Sequence, residues 1–257
     1  MGSSEHHGDQ PHREAQVQAQ TQPSRALVAF DLDGTLMPVD ETAAPETREA
    51  LQALRHAGAH LVLASGKPCA YLSGVARALG ILDSSLIGEN GAEVWIRSTM
   101  PTPRWRVTPS SEEKLALDRL REELRIRYGD EVFLQPNTVG VTAFPAAEHL
   151  TSARLAAEVI PELPAGITRY VHSDSVDWTL GRCSKGAALM QLAHDLGFGR
   201  ERLVAVGDGP NDLAMLTEAH LGLWLGSPEQ VKGTGITAVP GLAETMGIVL
   251  RFVRSVR

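Results

Sequence analysis

An α/β fold, a parallel-sheet core with a second, smaller α+β unit inserted into it, is what this 257-residue sequence predicts. Three observations carry the expectation. Apolar runs Ala26-Leu-Val-Ala-Phe30, Leu61-Val-Leu-Ala64 and Leu203-Val-Ala-Val206 each lead at once into small polar or acidic residues. Runs this short and continuous suit strands covered on both faces, as in a parallel sheet. The first two flank a helix-period segment, and strand, crossover helix and strand in succession make a βαβ unit whose right-handed crossover keeps the strands parallel. From residue 92 to about 180 the style changes to longer strands alternating with helices, without carboxylates at the strand ends, which reads as the inserted unit.

Taken in order, residues 1–24 are rich in Gln, Ser, His, Glu and Pro and predict a disordered tail. His6, His7 and His12 lie there with no apolar scaffold to fix a metal. Pro45 opens a helix whose apolar face is Ala50, Leu51, Leu54 and Ala57, and Gly58 stops it. A second helix fits 68–79, ending at Gly80, and a strand over 85–88 runs into Glu89-Asn90-Gly91, where Asn-Gly signals a turn. The inserted unit, 91–181, then predicts a strand over 92–97, a charged helix over 110–128 and two strands within 132–144. A helix over 146–160 and strands over 167–171 and 175–180 complete it. Ser184 caps a helix over 185–196 that ends at Gly197. Pro210 opens another, 221–225 is a strand, and 240–253 is a final amphipathic helix. The core is therefore expected from 25–90 joined to 182–257.

Composition narrows the function. A formal charge of −7 with 24 scattered Lys and Arg gives no basic stripe, so nucleic acid is a poor partner. Cys69 and Cys183 lack Cys-x-x-Cys spacing, which excludes a disulfide framework or zinc knuckle and leaves two half-buried thiols. No apolar run approaches the roughly 20 residues that span a bilayer, and the N-terminus lacks the apolar core of a secretory signal. A cytoplasmic enzyme without membrane association is the expectation; oligomeric state is not legible.

The chemistry sits at the strand ends. Asp31 and Asp33 follow the first strand, and Gly34 lets the chain turn past them. Two carboxylates one residue apart repel, so keeping both ionised needs a cation or a hydrogen-bond network; alone, the same Asp-x-Asp-Gly would also suit a solvated turn. A carboxylate at a strand end can attack phosphorus and form an aspartyl phosphate, which makes Asp31 the nucleophile. Asp33 points the same way along an extended segment and can serve as acid and base. Mg²⁺ favours oxygen ligands and binds one or two carboxylates beside a phosphate, which fits Asp31 and Asp208, with Asn211 and Asp212 completing the outer shell. Lys185, a cation in a helix's first turn, opposes the helix dipole and calls for an anion: Asp31 and a phosphoryl group. Ser65 and Gly66, between strand and helix, can hold phosphate or merely cap the helix; Lys67 adds charge nearby. His172, Asp174 and Asp177, near the return strands of the inserted unit, are candidate contacts for the leaving group.

The four segments Asp31-Leu-Asp-Gly-Thr35, Ala64-Ser-Gly66, Ser184-Lys-Gly186 and Gly207-Asp-Gly-Pro-Asn-Asp212 resemble, in order and spacing, motifs one to four of the haloacid dehalogenase-like (HAD) superfamily. Glu89-Asn-Gly-Ala92 resembles the entry to a type IIB cap of its Cof-like branch. The resemblance implies a Rossmann-like core, an α/β cap, Mg²⁺ dependence and hydrolysis of a phosphate monoester. It also implies Asp31 as nucleophile, Asp33 as acid/base and backbone-carbonyl metal ligand, Asp208 as metal ligand, and Ser65 and Lys185 as phosphate binders. Similarity to mannosyl-3-phosphoglycerate and sucrose-phosphate phosphatases points to a phospho-sugar. Lys67 departs from the Arg of many relatives, and the segment after Gly226 departs from the Cof-like ending. A phosphosugar mutase and a non-catalytic phospho-ligand binding protein are the competing functions.

Overall fold

The computed structural model describes residues 24–38, 41–97, 104–160 and 163–256. The expected tail, with its three histidines, lies outside the described residues except for Ser24.

In chain order the core begins with β1 (Ala26–Phe30), α1 (Pro45–His56), β2 (Ala59–Ala64), α2 (Cys69–Ala78), β3 (Ser85–Gly88), β4 (Glu93–Trp95) and β5 (Arg104–Trp105). The inserted cap follows: α3 (Ser111–Tyr128), β6 (Val132–Leu134), β7 (Val141–Pro145), α4 (Ser152–Glu158), β8 (Ile167–Val171) and β9 (Val176–Leu180). The chain returns with α5 (Lys185–Leu196), β10 (Leu203–Gly207), α6 (Leu213–Glu218), β11 (Leu221–Trp224), β12 (Thr237–Ala238) and α7 (Leu242–Ser255).

The core sheet runs β12-β11-β10-β1-β2-β3-β4-β5. It is parallel from β12 to β3 and antiparallel beyond. Every residue of β1 is buried, as a strand with helices over both faces requires. Side chains alternate between the faces: Val28 and Phe30 pack with Leu51, Leu54 and Val249, whereas Leu27 and Ala29 pack with Leu189, Leu192 and Met215. Burying a side chain such as Phe30 contributes about 1.5–3 kcal/mol. Register places the chemistry. Phe30 pairs with Val206 on one side and Leu63 on the other, so Asp31, Gly207 and Ala64 lie level and the next residues emerge from one sheet edge. In open α/β sheets, this carboxyl edge is where ligands bind.

The cap is a separate antiparallel sheet ordered β6-β7-β9-β8. Leu117, Leu120 and Leu124 of α3 recur at helical spacing and pack on Val141, Trp178 and Leu180. Ser110 and Glu113 form a reciprocal capping box at the start of α3.

Several expectations are corrected. The strand read over 92–97 as part of the inserted unit is Glu93–Trp95 and extends the core sheet, because Leu86 pairs with Trp95 in a tight antiparallel return. The helix read over 146–160 is confined to Ser152–Glu158: Ala146 N–H bonds back to Glu131 (2.7 Å) and Thr151 Oγ1 caps Arg154 N–H (3.2 Å). Pro210 opens a 3₁₀ turn before α6, and the last helix starts at Leu242 rather than Pro240. Cys69 and Cys183 are buried rather than half-buried.

Candidate active site

Asp31 follows β1 directly, its N–H bonded to Val206 O (2.9 Å). Opposite it, Ser184 Oγ accepts from Ala187 N–H (3.2 Å) and starts α5, so Lys185 enters the core from the first turn. Lys185 is only 1% exposed. Its ammonium donates to Asp31 Oδ1 (2.6 Å) and Asp212 Oδ1 (2.7 Å). Asp212 is fully buried and its second oxygen accepts from the N–H groups of Asp208 (3.1 Å) and Gly209 (2.9 Å), which fixes the acidic loop. Thr35 Oγ1 donates to Asp208 Oδ1 (2.5 Å). Gly34 allows the approach: at φ +83°, a Cβ there would collide with the Asp208 carboxylate.

One oxygen from each of Asp31, Asp208 and Asp212 falls within 4.8 Å of the others. Three carboxylates thus surround a single ammonium. Burial, then the charge of Asp212, pushes Asp31 up from the ordinary carboxylate range against the pull of Lys185. Burial raises Asp208 to about 6, with Asp212 adding to the effect and Thr35 opposing it. Burial alone would lower Lys185, but Asp212 and Asp31 outweigh it and hold the ammonium above its usual value. The excess negative charge and all-oxygen donor set fit a hard divalent cation such as Mg²⁺. Asp212 has both oxygens occupied by Lys185 and backbone N–H groups, so the free oxygens belong to Asp31 and Asp208.

Asp33 lines the same pocket and is ion-paired with Lys67. The Lys67 ammonium lies 5.5 Å from the Tyr71 ring and 5.9 Å from that of Phe144, a cap residue. Ser65 is buried at the end of β2, its Oγ accepting from Lys67 N–H (3.2 Å). Gly66 O accepts from Gln135 Nε2 (3.2 Å) and Asn137 Nδ2 (3.1 Å), so the cap seats directly on this loop.

The cap closes the far wall of a cavity of about 250 Å³. His172, Asp174 and Asp177, from the β8–β9 hairpin, line it together with Asp31, Asp33 and Asp208. Buried Asp177 accepts from Thr142 Oγ1 (2.7 Å) and Asn90 Nδ2 (2.9 Å) and lies 3.5 Å from His172 Nε2. Burial favours neutral forms of both partners, yet their mutual attraction wins: His172 is raised and Asp177 lowered. Asn211, expected in the outer shell of the metal, lines the pocket and donates to Asn90 Oδ1 (2.9 Å).

The structure thus gathers Asp31, Asp33, Ser65, Gly66, Asp208 and Asn211 on one cavity, with Lys185 and Asp212 directly beneath. Reasoning from sequence missed Thr35, Glu89 and Asn90. Glu89 is buried and accepts N–H bonds from Thr138 (2.7 Å), Val139 (2.6 Å) and Gly140 (3.2 Å) of the cap. Burial raises its pKa despite those bonds. Glu89 and Asn90 both have positive φ, 48° and 55°. The Asn-Gly turn signal marked the place, but not the side-chain work done there.

A family model for haloacid dehalogenase-like hydrolases matches residues 28–115 and 141–232. A 5-amino-6-(5-phospho-D-ribitylamino)uracil phosphatase of Bacillus subtilis is 26% identical over 223 residues, covering 80% of this chain and 85% of its own. A phosphoglycolate phosphatase of Methanoculleus marisnigri is 26% identical over 208 residues, covering 75% and 80%. Among solved structures, a haloacid dehalogenase-like hydrolase from Bacteroides thetaiotaomicron superposes with a TM-score of 0.69 at 20% identity over 88% of this chain and 100% of its own. A HAD subclass IIB sugar phosphatase gives 0.66 at 20% identity over 88% and 98%. These structures share the fold, and the family match over most of the chain, with its motifs brought to one sheet edge, places this protein in the haloacid dehalogenase-like hydrolase family.

Proposed function

We propose that this protein is a Mg²⁺-dependent phosphatase that hydrolyses a small phosphate monoester, a sugar or polyol phosphate, through an aspartyl phosphate on Asp31. The observation that carries the reading is the convergence of Asp31, Lys185 and Asp208 at the strand ends beneath a cap-covered cavity. Curated relatives named as phosphatases of small phosphorylated metabolites support it.

In this reading the Asp31 carboxylate attacks phosphorus, and the bond from phosphorus to the leaving-group oxygen breaks. Asp33 gives a proton to that oxygen, then takes one from the water that splits the aspartyl phosphate. Lys185, Ser65, Asn211 and the backbone beside Gly66 hold phosphoryl oxygens in line with Asp31. Asp31, Asp208 and the Asp33 carbonyl would hold Mg²⁺, which when bound offsets charge on the phosphoryl group. Asp212 keeps Lys185 and the acidic loop in place. Holding Asp33 beside the cap is the part Lys67 plays.

The test is phosphate release from a panel of monoesters with and without Mg²⁺. Release that needs Mg²⁺ and disappears in Asp31→Asn is expected. No release from any ester, or an active Asp31→Asn, would reject the proposal.

A further inference from the structure

The leaving-group half of the cavity has a charge pattern that restricts what it can accept. Its lining has two basic side chains among the described residues, Lys67 and His172. Both are already paired, Lys67 with Asp33 and His172 with Asp177. Lys185 below is shared between Asp31 and Asp212. Asp174, in the turn between β8 and β9, accepts one hydrogen bond from Ser175 Oγ (3.1 Å) and has no ion-pair partner among the described residues. An ionised carboxylate is purely an acceptor, so it welcomes O–H donors and repels a second anion.

We infer that the cavity selects phosphomonoesters whose leaving group is uncharged and carries hydroxyls, and that Asp174 is the residue that turns away a carboxylate or second phosphate. The inference rests on the phosphatase reading and extends it. A phosphate group is met by the cations and dipoles at the strand ends, whereas no spare cation waits at the cap end for another negative charge. The His172–Asp177 pair reinforces this selection. Asp177 is held by Thr142 and Asn90, so it keeps His172 beside it instead of releasing the imidazole to a ligand anion. Phosphoglycolate, with its carboxylate, therefore belongs to the disfavoured class, and a linear or cyclic polyol phosphate to the favoured one.

The test uses esters that share a carbon skeleton and differ in one terminal group. The pairs are sn-glycerol 3-phosphate with 3-phosphoglycerate, and sorbitol 6-phosphate with 6-phosphogluconate; each exchanges a CH₂OH for a carboxylate. In the wild type with Mg²⁺, the alcohol is expected to have the higher kcat/KM by roughly tenfold or more in each pair that turns over. In Asp174→Asn and Asp174→Ser that preference should shrink to within a few-fold, mainly by a gain on the acid. An acid handled as well as its alcohol in the wild type overturns the inference. A preference unchanged in both variants removes Asp174 from it. Turnover of p-nitrophenyl phosphate without turnover of any polyol ester overturns the leaving-group class and spares the phosphatase reading. Release from no ester at all defeats that reading itself.

Discussion

Lys185 Nζ lies 2.6 Å from Asp31 Oδ1, a buried ion pair between residues 154 positions apart in sequence. Three neighbouring carboxylates depend on that one ammonium. Lys185→Met should therefore lower stability by about 3–5 kcal/mol, the typical result of stripping a buried charge of its partner. Phosphatase activity should fall at least about 10³-fold, since the phosphoryl contact proposed for Lys185 goes with it. Denaturant melts and phosphate-release rates check both, and a second variant, Lys185→Arg, should keep more stability than activity because the forked guanidinium holds charge but not position.

Gly34→Ala tests how closely the two acidic loops approach. The new methyl would meet the Asp208 carboxylate, and the backbone there has φ +83°. A loss of about 1–2 kcal/mol is expected from the backbone alone, together with loss of Mg²⁺-dependent turnover as Asp208 is displaced. Wild-type Mg²⁺ response in this variant would contradict the placement of Asp208.

Glu89 straps cap to core through three backbone N–H groups. Glu89→Gln replaces an acceptor oxygen by an N–H₂ that faces one of those donors, so about 1–3 kcal/mol should be lost. Hydrogen exchange at Thr138, Val139 and Gly140 should accelerate before the core sheet does. Unchanged protection at those amides would mean that the strap is not what orders the loop.

His172 and Asp177 give a pH prediction. His172 is raised by Asp177 against burial, with Asp174 helping and Lys185 opposing. An imidazole raised on folding contributes stability that is complete below its unfolded pKa of about 6.5 and is lost as pH rises through the folded value. NMR titration of His172 should give a midpoint above about 6.5 in the wild type and below it in Asp177→Asn, where burial acts without its main opponent. A midpoint indifferent to Asp177 would break the pairing.

Much of this arrangement was readable in the residues themselves. Strands β1, β2 and β10 are continuous apolar runs, and parallel pairing makes their ends coincide, so Asp31, Ser65 and Asp208 had to meet once the sheet was granted. Lys185 betrayed itself by standing at the wrong end of a helix dipole. What stayed hidden depends on contacts between distant segments. Glu93–Trp95 reads equally well as a strand of either sheet, and only its pairing with β3 decides. Asn90 spells a turn in sequence, yet its amide joins Asp177 to Asn211, residues 87 and 121 positions away. The late start of the helix read over 146–160 follows a backbone bond from Ala146 N–H to Glu131, a contact between segments that no local pattern announces.

The central claim is that phosphorus passes through the Asp31 carboxylate. Acid-quenching the enzyme during turnover of a polyol phosphate with Mg²⁺, then mapping peptides by mass spectrometry, reads this directly. A phosphoryl group on the peptide carrying Asp31, absent from Asp31→Asn, is the expected result; sustained turnover with that peptide unmodified, or with Asp31→Asn still active, would contradict it.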